Sequence, residues 1–185
     1  MEMTDEFTKE VTAAILPVPF KGIECFFDIS GILAQPLLFR RTIEKLVEVA
    51  RAFRPDYICA LDARGFLLAS PVCLDLLIPL VMIRKQGKLP GLCHGTIFDK
   101  EYESGDVFEI QDDVIRPKSR ILLIDDVLAT GGSLRAAHSL VKHFDPVAVE
   151  GLCLVDLGLE SSKSLAAHGL HVTSLFHAAS WARDV

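Results

Sequence analysis

Apolar runs recur along this chain, and polar stretches with helical spacing separate them. Tyr57 to Leu61, Leu80 to Ile83, Ile121 to Ile124 and Val147 to Val155 are apolar or nearly so, and Leu170 to Leu175 reads as a last strand. Such short unbroken runs fit strands buried on both faces of a parallel sheet. Between them, Phe39, Ile43, Leu46, Ala50 and Phe53 recur at helical spacing, with Arg40, Arg41, Glu44 and Glu48 on other faces. Pro36 opens that helix as a first-turn proline, and Arg54-Pro55 closes it. A second helix is expected after Gly65, with Pro71 in or near its first turns. A third carries Leu134, Ala137, His138 and Val141, and a short one covers Ser161 to His168. Residues 1–18 read as a short leading helix or arm that Pro17 and Pro19 end. Residues 20–29 read as an irregular segment with a short strand. Phe98 to Gly105 reads as a polar hairpin or lid, with Val107 to Ile110 as a partner strand. The alternation predicts an α/β fold, a mainly parallel central sheet flanked by helices.

Composition narrows this to one domain. The chain has 185 residues, 50% hydrophobic and 24% charged, which is globular rather than disordered. A net charge of −6 argues against non-specific nucleic-acid or membrane-surface binding. No apolar run approaches a membrane span, and the first residues lack the basic and apolar regions of a signal peptide. The cysteines stand at 25, 59, 73, 93 and 153, odd in number and without a C-x-x-C. Cys59, Cys73 and Cys153 sit in apolar runs, as buried free thiols do. The expected setting is reducing and cytoplasmic, without a zinc site. His168 and His171 are close in sequence, but no third ligand accompanies them.

The candidate chemistry follows the strands. Asp125 and Asp126 stand where the Ile121–Ile124 strand is expected to end, before the small turn Ala129-Thr130-Gly131-Gly132-Ser133 and a helix. A helix N-terminus attracts phosphate, and glycines let a backbone approach an anion. The two carboxylates suit ribose hydroxyls, with a hydrated metal nearby. The alternative is a tight strand-to-helix turn with an acidic cap. Arg64 follows the strand ending at Leu61, and Arg84, Lys85 and Lys88 follow the strand ending at Ile83. That basic turn is either solvated or an anion site, since clustered cations repel one another. Phe26 and Phe27 either tuck inward from a surface loop or belong to a flap over a flat base. Open parallel sheets hold ligands outside the carboxyl ends of their strands.

Strand-Asp125-Asp126-x-x-x-Thr130-Gly131-Gly132-Ser133 resembles the signature of type I phosphoribosyltransferases, which use phosphoribosyl pyrophosphate (PRPP). Leu61-Asp-Ala63-Arg64-Gly65-Phe66, Arg84-Lys85-x-Gly87-Lys88-Leu89-Pro90-Gly91 and Glu101-Tyr102 match the adenine phosphoribosyltransferase family in order, and Phe26-x-Asp28-Ile29 matches its base-binding flap. The resemblance spans roughly residues 19 to 176. The chain departs from the family at three places. Position 27 is Phe where many members have Arg, one residue is added between Gly22 and Phe26, and Glu103-Ser104 intervene before Gly105.

The resemblance implies a single domain over 1–185. An N-terminal arm and base-binding flap would occupy about 1–35. An α/β core would span about 36–176, with a mobile lid hairpin over about 86–112, and 177–185 would be a tail. It implies transfer of a phosphoribosyl group from PRPP to adenine, giving AMP and pyrophosphate. Ala129, Thr130, Gly131, Gly132 and Ser133 would hold the 5′-phosphate, and Asp125 with Asp126 the ribose. Ala63, Arg64, Arg84, Lys85 and Lys88 would meet pyrophosphate, with the Ala63–Arg64 peptide expected in the cis form. Cys25 would read adenine through its backbone, between Phe26 and Leu159. Glu101 would be the acid near the base and Tyr102 would help close the lid, with Arg64 and Lys88 also serving the chemistry. Magnesium would accompany PRPP without a certain protein ligand, Asp125 or Asp126 reaching it through water. The family is typically homodimeric. Another purine base, or a PRPP-sensing regulator without turnover, are the other readings. A regulator calls for a nucleic-acid-reading appendage that this acidic chain has no room for.

Overall fold

The apolar runs pair side by side. In the computed structural model, which describes residues 5–20, 23–100 and 103–178, the order is α1 (Asp5–Ala14), β1 (Leu16–Phe20), β2 (Ile23–Asp28), α2 (Ser30–Leu33), α3 (Pro36–Phe53), β3 (Tyr57–Leu61), α4 (Arg64–Leu76), β4 (Leu80–Lys85), β5 (Cys93–Lys100), β6 (Glu103–Gln111), β7 (Arg120–Leu128), α5 (Gly132–Val141), β8 (Ala148–Asp156), α6 (Ser161–Ala167) and β9 (His171–His177). A seven-stranded sheet runs β5-β6-β4-β3-β7-β8-β9. From β4 to β9 its strands are parallel. β6 and β5 add an antiparallel hairpin at the β4 edge. β1 and β2 form a separate antiparallel ribbon.

Strand alternation explains why the runs are apolar throughout. Ile58, Ala60, Leu122, Ile124, Leu152 and Leu154 face one core with α3 and α4. Tyr57, Cys59, Leu61, Ile121, Leu123 and Cys153 face the other, with α5. Both faces of β3 and of the β7 run Ile121–Ile124 are buried, so neither parity needs polar residues there, whereas β4 leaves Leu80 and Met82 exposed.

The crossovers place the site. β3 leads to β4 on one side, while β7 leads to β8 on the other. The crevice between the carboxyl ends of β3 and β7 is therefore the switch point of the sheet. Pairing of β3 with β7 stops at Ala60–Ile124, but β7 stays paired with β8 as far as Leu128–Asp156. The expected end of this strand at Ile124 is thus corrected. β7 carries both carboxylates within it, because β8 still supplies partners.

Three other expectations change. Pro17 and Pro19 do not merely end the leading helix; they lie inside β1. Prolines two apart can both face away from a single partner strand, so neither need break a ladder bond. α4 begins at Arg64, and Pro71 lies well inside it. Pro71 has no N–H for Leu67, which is on the exposed face where water can serve the carbonyl. The cis peptide falls one bond earlier than expected, between Asp62 and Ala63.

α3 ends as its sequence predicts, with Arg54 left-handed at φ 56°. Arg120 caps it from β7. Its Nη2 and Nε donate to Phe53 O at 2.7 and 3.1 Å. This satisfies a carbonyl that a helix end otherwise leaves open.

Gly65 lets the first turn of α4 lie against β7. A Cβ there would stand 2.7 Å from Ile124 O and 3.4 Å from Asp125 Cα. Both are backbone atoms and cannot swing aside. Gly65→Ala is expected to cost about 1–3 kcal/mol, read as a lowered urea midpoint. An unchanged midpoint would show that α4 has room to retreat.

Candidate active site

The cleft opens at the switch point. β7 supplies Asp125, Asp126 and Val127, and the segment after it supplies Ala129 and Ser133. The end of β3 supplies Asp62, Ala63 and Arg64; the β2 ribbon supplies Phe26 and Phe27, and the exit of β8 supplies Leu157.

Arg64 joins these parts. Its Nε lies 2.8 Å from Asp126 Oδ2. Its Nη1 donates to Phe27 O at 3.1 Å, and its Cζ sits 4.6 Å from the Phe26 ring centroid. One guanidinium thus ties the ribbon to β7 and stacks on an aromatic face. The contact with Asp126 is close but not aligned as a hydrogen bond, so buried Oδ2 has no hydrogen-bond donor. Asp125 Oδ1 accepts from Asp126 N at 2.9 Å.

The carboxylates are perturbed together. Burial raises Asp125 well above the usual carboxylate range, and the charge of Asp126 raises it further. Burial also raises Asp126, while Arg64 pulls it down. Adjacent buried acids favour a cationic or hydroxyl-bearing ligand.

The glycine turn has its own support. Gly131 precedes α5 at φ 79°, a left-handed conformation suited to glycine. A Cβ there would meet Leu165 Cδ1 at 3.1 Å. Ser161 Oγ donates to Ala129 O. Thr130, Gly131 and Gly132 therefore bridge Ala129 and Ser133, which line the cleft, and α5 starts beside it.

β4 runs past the expected end at Ile83 to Lys85, because β6 pairs with Arg84 and Lys85, and this basic strand end with the turn after it stands beside the cleft rather than in its lining. Arg84 Nε donates to Asp62 Oδ2 at 3.0 Å and Nη1 to Lys88 O at 3.2 Å. Gly87 N donates to Glu109 Oε2 at 2.9 Å, which fastens the turn to the hairpin. Lys85 and Lys88 are exposed. Leu159 is 59% exposed and does not line the cleft; Leu157 does. Glu101 and Tyr102 lie outside the described residues, as does the side chain of Cys25, whose backbone belongs to β2.

The sequence missed Asp62, Val127 and Leu157. Asp62 stood inside a quoted motif without a role, and its pairing with Arg84 needs the β3–β4 register to be known. Val127 and Leu157 carry no signal beyond being apolar.

The family profile described as a phosphoribosyl transferase domain matches residues 28–167. An adenine phosphoribosyltransferase of Paracidovorax citrulli is 37% identical over 174 residues, 92% of this chain and 94% of that one. The chain belongs to the adenine phosphoribosyltransferase family. Solved members share its architecture. The enzyme of Thermoanaerobacter pseudethanolicus superposes with a TM-score of 0.83 at 32% identity, covering 91% of this chain and 98% of its own. That of Saccharomyces cerevisiae, bound to an imino-altritol bisphosphate and adenine, superposes at 0.81 with 34% identity, covering 92% and 98%. In this member of the adenine phosphoribosyltransferase family position 27 is Phe, and its backbone O accepts a hydrogen bond from Arg64 Nη1.

The raised carboxyls set a stability test. An unfolded Asp titrates at about 3.9, and folding raises Asp125 above that. Between the two values the folded chain holds a proton the unfolded chain has released, so stability falls as pH rises through the window. Asp125→Asn keeps the acceptor for Asp126 N and removes the titration. Its urea midpoint should exceed wild type at pH 8, and the gap should close towards pH 4. A variant weaker than wild type at pH 8 would show that Arg64 stabilises the charged pair more than burial opposes it.

Proposed function

We propose that this protein transfers the phosphoribosyl group of PRPP to N9 of adenine, giving AMP and pyrophosphate. The observation that carries the reading is Arg64 between Asp126 and Phe26, at the switch point and beside the glycine turn. In that reading the 5′-phosphate sits on Ala129 to Ser133, at the start of α5. Asp125 and Asp126 accept hydrogen bonds from the ribose hydroxyls. Ala63, Arg64, Arg84, Lys85 and Lys88 face the pyrophosphate, Arg as a fork and Lys as a point charge. Phe26 stacks the base, Leu159 covers its other face, and the Cys25 backbone reads its edge. Glu101 organises the proton near the base, and Tyr102 helps close the lid.

The bond from C1′ to pyrophosphate oxygen breaks, and its electrons leave with pyrophosphate. The N9 lone pair forms the new bond, and the N9 proton is released. Positive charge grows on the ribose ring while negative charge grows on the leaving group. Preorganised cations in a closed site stabilise that change most.

Magnesium fits the donor set. It takes hard oxygen ligands and commonly shares one or two carboxylates with substrate phosphates. Asp126 has a buried oxygen without a hydrogen-bond donor. Among the described residues, no cluster of three or more His, Cys, Asp or Glu stands ready to hold a metal. Asp125 or Asp126 would therefore hold magnesium only together with PRPP, through water. The ion supplies charge neutralisation on the pyrophosphate.

We read 1–185 as one phosphoribosyltransferase domain, with about 1–35 as arm and flap, about 36–176 as core, about 86–112 as lid and the residues from 177 as tail, the core's last strand ending at His177. A cytoplasmic setting is supported by the free thiols of buried Cys59, Cys73 and Cys153. Among the described residues no helix is long and apolar enough to cross a membrane. A homodimer is supported by the family resemblance.

Incubation with PRPP, magnesium and each of adenine, hypoxanthine, guanine, xanthine and orotate tests the activity. Adenine alone should give nucleotide efficiently. It presents a donor at N6 beside an acceptor at N1, and hypoxanthine reverses both. Each buried mismatch costs about 1–3 kcal/mol, so kcat/KM should differ by about 10² to 10⁴. Cys25→Ala should leave that preference intact, because backbone groups do the reading. Comparable use of hypoxanthine sinks the adenine assignment.

Lys88→Ala should weaken pyrophosphate binding by about tenfold, as expected for losing one charge-assisted contact of about 1.5 kcal/mol. Calorimetric titration of both proteins checks this. Equal affinities take Lys88 out of the site.

A further inference from the structure

Asp156 closes β8 and does not line the cleft. It is 5% exposed, uncommon for a carboxylate without a purpose. In the sheet it stands opposite Leu128 of β7 and His177 of β9. Oδ1 accepts from Gly158 N at 2.8 Å. Oδ2 accepts from Ser162 Oγ at 3.3 Å, and His177 Nδ1 lies 3.7 Å from it. Its hydrogen-bond partners thus lie inside the loop Leu157-Gly158-Leu159-Glu160, at Gly158, and just beyond it, at Ser162. Gly158 and Glu160 are both left-handed, at φ 73° and 58°, so the loop turns back on itself twice.

Both ends of this loop touch the site. Leu157 lines the cleft and donates its N–H to Leu128 O at 3.0 Å. After the loop, Ser161 donates to Ala129 O, and Leu165 lies where a Cβ on Gly131 would come to 3.1 Å. The start of α6 is therefore tied to Asp156 on one side and leans on the glycine turn on the other. A buried carboxylate bonded both inside a loop and just beyond it holds the loop more firmly than apolar contacts alone, because charge-assisted hydrogen bonds are directional.

The geometry points to Asp156 as a positioning residue that sets the 157–160 loop against the base side of the cleft. This rests on the function proposed above, since Leu157 and Leu159 would meet adenine only in that reading. Asp156 touches no reacting atom. It acts through Gly158 N and Ser162 Oγ, and its loss should loosen the base more than PRPP.

Asp156→Ala and the milder Ser162→Ala are compared with wild type in two measurements. The first is tryptic cleavage after Lys163, whose side chain is 78% exposed on α6. Cleavage should speed up by about tenfold in Asp156→Ala, the effect of losing hydrogen bonds to a charged group. The second is the pair of Michaelis constants. The KM for adenine should rise by about tenfold in Asp156→Ala and about threefold in Ser162→Ala. The KM for PRPP should stay within about twofold in both. Faster cleavage with an unchanged adenine KM makes Asp156 merely structural and overturns its positioning role. Equal rises in both constants overturn it as well. If Asp156→Ala does not fold, Ser162→Ala is judged by the same criteria. A wild-type chain that forms no AMP defeats the functional reading and the adenine half of this inference, while cleavage still decides whether Asp156 holds the loop.

Discussion

Two adjacent carboxylates on a central strand must be answered by positive charge, and the fold around them is arranged to supply it. β7 runs on past the end of its pairing with β3, so Asp125 and Asp126 sit at the rim of the sheet with one neighbour strand gone. The gap is filled by the first turn of α4, which brings Arg64 to 2.8 Å from Asp126. That approach needs Gly65, because any Cβ there would strike the backbone of Ile124. Arg64 then has donors left over. It uses one on Phe27 O, and so the β1–β2 ribbon is tied to the same charge. A buried ion pair is weak evidence for stability, since removing ions from water costs about as much as their attraction returns. The raised carboxyls agree with that view. The arrangement is better explained by what it can receive than by what it stabilises.

The core was legible because its strands have no polar side. Tyr57–Leu61 is read from sequence with its observed bounds, and α3 with its proline start. What failed to show was wherever tertiary context outweighed local pattern. Asp125 and Asp126 look like the end of a strand, yet β8 supplies pairing partners and the strand goes on. Pro71 is expected in or near the first turns of its helix, yet it lies well inside α4, whose carbonyl at Leu67 is on an exposed face. Pro17 and Pro19 look like terminators, yet an edge ribbon with one partner tolerates them. In each case a residue disfavoured by intrinsic preference is accepted because a neighbour, or water, satisfies the backbone.

The site was legible to a different degree. Charged and glycine-rich residues announce themselves at strand ends, and the crossover pattern brings Ala63, Arg64, Asp125, Asp126, Ala129 and Ser133 to one cleft. Apolar members carry no such mark. Leu157 lines the cleft and Leu159 is mostly exposed, although both are leucines of one short loop. Only the turns at Gly158 and Glu160 decide which of them faces inward. Asp156 was invisible for the opposite reason. It terminates an apolar run like an ordinary strand end, and its burial depends on Ser162 and His177 arriving from elsewhere.

The switch point also divides the labour of the proposed reaction. The start of α4 carries Arg64, the end of β4 carries Arg84 and Lys85, and the turn after it carries Lys88, joined through Asp62 and Arg84. The ends of β7 and β8 carry the carboxylates, the glycine turn and the base-side loop, joined through Ser161 and Asp156. Cations therefore gather where pyrophosphate would leave, and acceptors gather where ribose would stay. The bond to be broken would lie over the crevice between the two groups. Arg64 belongs to the first group but ion-pairs with the second. An incoming pyrophosphate would compete with Asp126 for it, and magnesium brought with PRPP would offset the charge that Asp126 then exposes. The same residue would thereby sense both halves of the substrate, which a structural ion pair buried away from the cleft could not do.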